Sequence, residues 1–223
     1  MRGLQEAAKD HKLAINVGVH EPTNPPSRRI RNTLLWINTD GEIEHRYQKV
    51  HLFDIDLRPD GPEMKESNST EPGDVVENPY ECEGLKFGSM ICFDLRFPEI
   101  SLRLRRLGAQ VLLYPSAFTV QTGKMHWVAL LRGRAIESQC WVLASAQCGR
   151  HNGRRVSWGE SIAIDPKGEV VGVLDRVDDL EGEREGQRQP GMLLVDLEED
   201  VVRETRKMIP LADLRRTDVY PQV

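Results

Sequence analysis

An excess of positive charge is missing from this chain. Its 30 Lys and Arg stand against 35 Asp and Glu, for a formal net charge of −5. A dedicated nucleic-acid surface would need a basic excess, so no nucleic-acid partner is expected. Long apolar runs are missing too: none approaches the ~20 residues of a membrane span, so no membrane partner is expected. A secretory leader is not evident, because Leu4 to Leu13 is polar and charged, with no apolar h-region. Cys82, Cys92, Cys140 and Cys148 form no CxxC pair, which argues against zinc and thioredoxin-type chemistry. Without a secretory signal they read as reduced thiols of the cytosol or a mitochondrial matrix. His51 has no metal-ligand companions at suitable spacing, so no metal is expected. Internal repeats and interdomain linkers are also missing. The 223 residues therefore read as one domain, and 39% hydrophobic residues suffice for a core.

What is there alternates between strand and helix signals. Leu4 to His11 reads as the end of a helix, and Leu13 to Val19 as a strand. Arg31 to Asn38 is a second apolar strand, and Asp40-Gly41 a hairpin turn returning through Glu42 to Gln48. Val50 to Glu83 is rich in Pro, Gly and Asp and reads mostly as loop. Leu85 to Ile91 is a strand that ends at Cys92. Pro98 to Leu107 follows as a helix with Ile100, Leu104 and Leu107 on one stripe, closed by Gly108. Then come a strand at Gln110 to Tyr114, a helix at His126 to Gln139, and a buried strand at Cys140 to Gln147. A hairpin turns around Pro166-Lys167-Gly168. The charged insert 178–189 reads as a mobile loop, Gly191 to Leu197 as a final strand, and a short helix and tail follow. The alternation predicts an α/β fold, and the hairpins predict mixed sheets.

The most informative stretch runs from Gly88 to Glu99. An apolar strand enters Cys92, and a helix begins six residues later at Pro98, a favoured first-turn residue. A side chain on such a strand-to-helix turn is held out at the sheet's edge. The next backbone N–H, that of Phe93, can then face a developing oxyanion. A thiol there can act as nucleophile if a nearby cation favours the thiolate. A core cysteine closing a strand would leave the same trace.

Ile91-Cys-Phe-Asp-Leu-Arg-Phe-Pro-Glu99 resembles the nucleophile motif of the nitrilase, or carbon–nitrogen hydrolase, family, where Tyr usually follows the Cys. Arg46-Tyr-Gln-Lys-Val-His-Leu-Phe-Asp54 resembles its lysine motif. Tyr114-Pro-Ser-Ala-Phe118, Thr122-Gly123, His126-Trp127, Arg134-Ala-Ile-Glu137, Trp158-Gly-Glu-Ser161 and Arg216-Thr-Asp-Val-Tyr220 follow in the family's order. The resemblance implies a four-layer α-β-β-α sandwich and assembly into homodimers or larger homo-oligomers. It also implies thiol-dependent hydrolysis of a small-molecule carboxamide without a cofactor.

The resemblance assigns roles as well. Cys92 is the nucleophile, Lys49 steadies the tetrahedral intermediate with the Phe93 amide, and Glu66 orients the lysine. Read alone, Lys49 would be a solvated surface residue and Glu66 a loop acid. His126 and Trp127 are expected to open a helix beside the substrate, though a capping His and a core Trp fit the same residues. Val128 stands where relatives usually carry Glu. The family's general base is a glutamate at the end of an early strand, well before the lysine motif. Neither Glu6 nor Glu21 matches it, so the family's first strands, a helix and the base are expected to be missing here. Glu66-Ser-Asn-Ser-Thr70 and Ala146-Gln-Cys-Gly-Arg-His151 resemble the Nit branch. They imply deaminated glutathione as substrate, with 2-oxoglutaramate or a non-catalytic scaffold as alternatives. A papain-like Cys-His pairing fits the strand order poorly.

Overall fold

The computed structural model describes all residues except 57, 60–62, 154, 179–181, 183, 185, 187–189 and 221–223. Most of the insert expected at 178–189 thus lies outside the described residues. The chain divides into two compact units. One comprises residues 1–77 and 89–94, the other residues 78–88 and 95–223.

The first unit opens with α1 (Arg2–His11) and a meander of β1 (Ile15–Pro22), β2 (Ile30–Ile37) and β3 (Ile43–Gln48). The meander is antiparallel, with Ile15 opposite Ile37 and Leu34 opposite Tyr47. Its middle strand carries the apolar run, and Leu34, Leu35, Trp36 and Ile37 are all buried. No residue of β1 is buried, which fits its place at the end of this sheet path. Gly41 closes the β2–β3 turn at φ 81°. A Cβ there would come within 2.4 Å of the Gln5 carbonyl, so glycine lets α1 lie against the turn. Gln5 then donates from Nε2 to the Gly41 carbonyl at 2.8 Å.

The stretch expected to be mostly loop holds more order than its composition suggests. It contains β4 (Asp54–Asp56), β5 (Glu63–Lys65), a 3-10 turn over Glu66–Asn68 and β6 (Thr70–Glu71). β4 pairs with β5, and β6 adds to β2 in parallel. These strands are too short to carry a visible periodicity.

The second unit contains β7 (Tyr80–Cys82), β8 (Leu85–Ser89, whose last residue belongs to the first unit), α2 (Pro98–Arg106), β9 (Val111–Leu113), α3 (Val120–Ser138), β10 (Trp141–Ala144), β11 (Cys148–Arg150), β12 (Val156–Trp158), β13 (Ile162–Ile164), β14 (Val170–Val173) and α4 (Glu199–Met208). Among the described residues one sheet runs in the order β14-β13-β10-β9-β8-β7. β10 pairs parallel with β9 and antiparallel with β13, so the sheet is mixed. β11 and β12 form a separate hairpin. Leu85, Val111, Leu113, Trp141 and Val202 form a core cluster. Helices alternating with mixed sheets give the α/β class the sequence predicts.

Two boundaries differ from expectation. α3 begins at Val120, six residues before His126, because Thr119 caps it: the Thr119 hydroxyl accepts the Thr122 N–H at 3.2 Å. Gly123 is buried in its first turn, where any side chain would run into the Trp158 ring. Gly191 to Leu197 alternates between exposed and half-buried residues as a strand would, but makes no ladder. It packs by side chains instead, with Leu193 over Gly172 and Val195 and Leu197 against the core cluster.

Candidate active site

Lys49 follows directly on β3. Its backbone N–H donates to the Asn32 carbonyl at 2.9 Å, and its carbonyl accepts the Gly73 N–H at 2.8 Å. Pinned on both sides, the side chain turns inward and is only 3% exposed. A buried ammonium needs a counter-charge, and Glu66 supplies it at 2.5 Å from Nζ. The Glu66 carboxylate is itself held. Oε2 accepts the Phe53 N–H at 2.7 Å, and Oε1 lies 3.4 Å from Asn32 Nδ2. The 3-10 turn presents this glutamate, and the Glu66 N–H bonds the Phe53 carbonyl at 3.3 Å.

Cys92 opens a 3-10 turn over Cys92–Arg96. It has φ 49°, in the left-handed region that non-glycine residues enter only at a cost of about 1–2 kcal/mol. Such strain at a half-buried thiol marks the sharp elbow expected from the motif. Leu34, Tyr47 and Ile91 form a buried cluster against which both Cys92 and Val50 pack, so the elbow and the lysine segment share one small core. The Phe93 ring meets the Phe53 ring edge-on at 5.0 Å, beside the backbone that holds Glu66.

A residue to which the motif reading gave no role ties these parts together. Asp94 is fully buried and accepts the Tyr47 hydroxyl at 2.7 Å, the His51 N–H at 2.9 Å and the Ile91 N–H at 2.9 Å. His51 Nδ1 also lies 2.9 Å from it. With the ring proton on Nδ1 this contact is a further hydrogen bond to the carboxylate. The signal was there in Tyr47, the single aromatic in the polar strand Glu44-His-Arg-Tyr-Gln48, placed where its ring is buried.

The first unit thus holds Cys92, Phe93, Lys49 and Glu66. His126 and Trp127 belong to the second unit. They lie within α3 rather than at its start, and Trp127 is 1% exposed. Its indole N–H donates to the Glu160 carbonyl at 2.8 Å and its ring packs 4.8 Å from Phe118. Of the two readings of Trp127, a substrate wall or a core residue, its burial and contacts fit the core that anchors α3. The half-buried His126 has Nδ1 3.2 Å from an Arg96 guanidinium nitrogen. Two of the later motifs also read as fasteners. Arg134 is buried and donates twice to the Leu95 carbonyl, at 3.0 and 2.8 Å, which secures the end of the cysteine turn. Glu160 accepts the Trp158 indole at 2.8 Å and the Arg176 guanidinium at 2.6 Å.

All four cysteines are thiols. Among the described residues no group of three or more His, Cys, Asp or Glu is placed to hold a metal ion. Nor is any helix among them long and apolar enough to cross a membrane.

The cysteine elbow and the buried lysine–glutamate pair lie in one compact unit. A sequence profile of the family described as Carbon-nitrogen hydrolase matches residues 1–207, and the chain belongs to that family. It is 41% identical over 223 residues to a probable hydrolase, nit2, of Schizosaccharomyces pombe, covering all of this chain and 76% of that protein. It is 42% identical over 194 residues to a deaminated glutathione amidase of Mus musculus, covering 87% of this chain and 56% of that one. The crystal structure of the C. elegans NitFhit protein superposes with a TM-score of 0.88 at 36% identity, over 99% of this chain and 51% of that chain. The chain therefore spans little more than half the length of the mouse relative.

Proposed function

We propose that the chain carries the thiol chemistry of an amidase whose substrate is deaminated glutathione. The Cys92 sulfur attacks the carboxamide carbon, and the Lys49 ammonium and Phe93 N–H take the oxyanion. The C–N bond then breaks, the amine leaves with a proton, and a thioester remains on Cys92. Water adds to the thioester, releases the carboxylic acid and returns the thiol. Glu66 keeps Lys49 aimed. The observation that carries the reading is the elbow of Cys92 at φ 49° in the same compact unit as the buried Lys49–Glu66 pair. Similarity to the mouse amidase supports the choice of substrate. The thiol state of all four cysteines suits a reducing compartment, cytosolic or mitochondrial. Assembly as a homo-oligomer follows the family resemblance.

A second reading has its own observation. The attack needs a carboxylate to take the thiol's proton, and the glutamates ahead of Lys49 are engaged elsewhere or exposed. Glu6 is exposed on α1, Glu21 lies 3.6 Å from Arg46, Glu42 is exposed, and Glu44 accepts from Asn38 at 2.8 Å. Glu66 is committed to Lys49. Within this chain that leaves the thiol's proton without a carboxylate to take it, which is the ground for reading the chain as a scaffold that keeps the family's fold.

Release of 2-oxoglutarate from deaminated glutathione and from 2-oxoglutaramate, measured with the chain and with Cys92→Ala, separates the readings. Faster turnover of deaminated glutathione, with a loss on the order of a thousandfold in the variant, is the expected result. Preference for 2-oxoglutaramate would make the protein an ω-amidase. No release from either by a cooperatively folded chain would leave the scaffold.

A further inference from the structure

Lys49 and Cys92 are 43 residues apart in sequence, and something must fix one relative to the other. Asp94 is built for that. Its two oxygens divide their work. Oδ1 takes the His51 backbone N–H and lies 2.9 Å from His51 Nδ1, and Oδ2 takes the Tyr47 hydroxyl and the Ile91 N–H. Tyr47 and His51 flank Lys49 at equal distance along the chain, while Ile91 and Asp94 itself flank Cys92. One carboxylate therefore grips the lysine segment on both sides and closes the turn that holds the cysteine at positive φ.

We propose that Asp94 is a positioning residue that sets the nucleophile elbow against the lysine segment and so makes the Cys92 thiol reactive. The inference rests on Cys92 and Lys49 acting as assigned above. Acceptance from two backbone N–H groups cannot be reproduced by a neutral amide. However an asparagine is turned, its NH2 faces either the His51 or the Ile91 N–H, donor against donor. A glutamate would put an extra methylene into a fully enclosed site. The role differs from an electrostatic one in sign. A negative charge beside a thiol by itself opposes thiolate formation, so removing it would raise reactivity at low pH. Loss of positioning lowers reactivity instead, because the thiol is no longer held in the lysine's field.

The test is the pH profile of iodoacetamide alkylation in the folded chain, read residue by residue from peptide masses, with melting followed in parallel. The half-buried Cys148 serves as internal control. In the unmodified chain Cys92 reacts well ahead of Cys148. Asp94→Asn slows Cys92 at pH 7 about tenfold and moves its profile to higher pH, with Cys148 unchanged. Tyr47→Phe keeps the carboxylate and removes one donor; it moves Cys92 in the same direction by about twofold to threefold, and decides the matter if Asp94→Asn does not fold. A lowered melting temperature with an unmoved Cys92 profile would overturn the proposal, as would a profile shifted to lower pH. A Cys92 no faster than Cys148 in the unmodified chain would bring down the assignment of the nucleophile and this inference with it.

Discussion

Cys92 in the first unit and Cys140 in the second are both thiols at a chain reversal, and Cys140 adjoins a group that carries positive charge. Cys140 follows the left-handed cap of α3 at Gln139, and Arg206 Nη2 lies 3.3 Å from its sulfur. Counting cations alone, Cys140 would look the more activated. It is fully buried, however, and its thiol donates to the carbonyls of Ala109 and Ser138 at 3.2 and 3.4 Å. Burial pushes the Cys140 thiol up, and the Arg206 charge only partly offsets it. Arg206 itself donates at 2.7 Å to the Ala109 carbonyl, so its charge is spent on docking α4. Cys92 is only half-buried, on a strained turn whose entry Asp94 holds by accepting the Ile91 N–H. Reactivity needs access as well as a cation, and the second unit offers a cation without access.

The sharpest way to break this comparison is to alkylate the native chain at pH 8 and count adducts. Cys92 is expected to outpace Cys140 on the order of a hundredfold, and the two should converge in strong denaturant. Comparable native rates would mean that the buried thiol is accessible and that the contrast fails.

A buried charge offers the next test. Lys49 is 3% exposed with Glu66 at 2.5 Å as its counter-charge, whereas Glu66 has other donors and a side chain 20% exposed. The two ends of the pair are therefore unequal. Glu66→Gln strands a buried ammonium and should cost about 3–5 kcal/mol of unfolding free energy. Lys49→Met leaves a carboxylate that still has the Phe53 N–H and partial access to water, so it should cost less. Urea denaturation of both variants checks the order. Equal losses, or a larger one for Lys49→Met, would mean that the lysine reaches water after all.

Much of this was legible in the chain, and what was not has a common cause. The Cys92 elbow, the Pro98 helix start and the Asp40-Gly41 turn are written in adjacent residues, so local rules find them. Lys49 and Glu66 looked like surface groups on local rules, and only the resemblance to the family made them a pair. The donors that converge on Asp94 come largely from Tyr47 and His51, 47 and 43 residues away, and no spacing rule reaches that far. The start of α3 was missed for a local reason. Thr119 caps a first turn that contains Gly123 and little apolar sequence, so the periodicity shows only from Trp127 onward. Trp127 read equally as a wall residue or a core Trp, and its indole N–H on the Glu160 carbonyl fits the core reading.

The smallest effect concerns His151, where the second unit again discourages a charge. Its ring follows β11, with Nε2 2.8 Å from the Ser157 hydroxyl and its N–H on the Arg155 carbonyl. Burial, and after it the Arg155 charge, hold this histidine below its ordinary value. The sign follows from linkage. As pH falls below about 6.5 the unfolded chain takes up a proton that the folded chain resists. His151 therefore contributes stability above that pH, and the contribution is lost as pH falls toward its folded value. His151→Gln should remove this part of the pH dependence, so the stability gap between the original chain and the variant should shrink from pH 8 to pH 5. A gap that stays constant, or widens in acid, would show that His151 takes its proton as readily when folded. Burial in the second unit would then not disfavour charge at this hairpin as it does at Cys140.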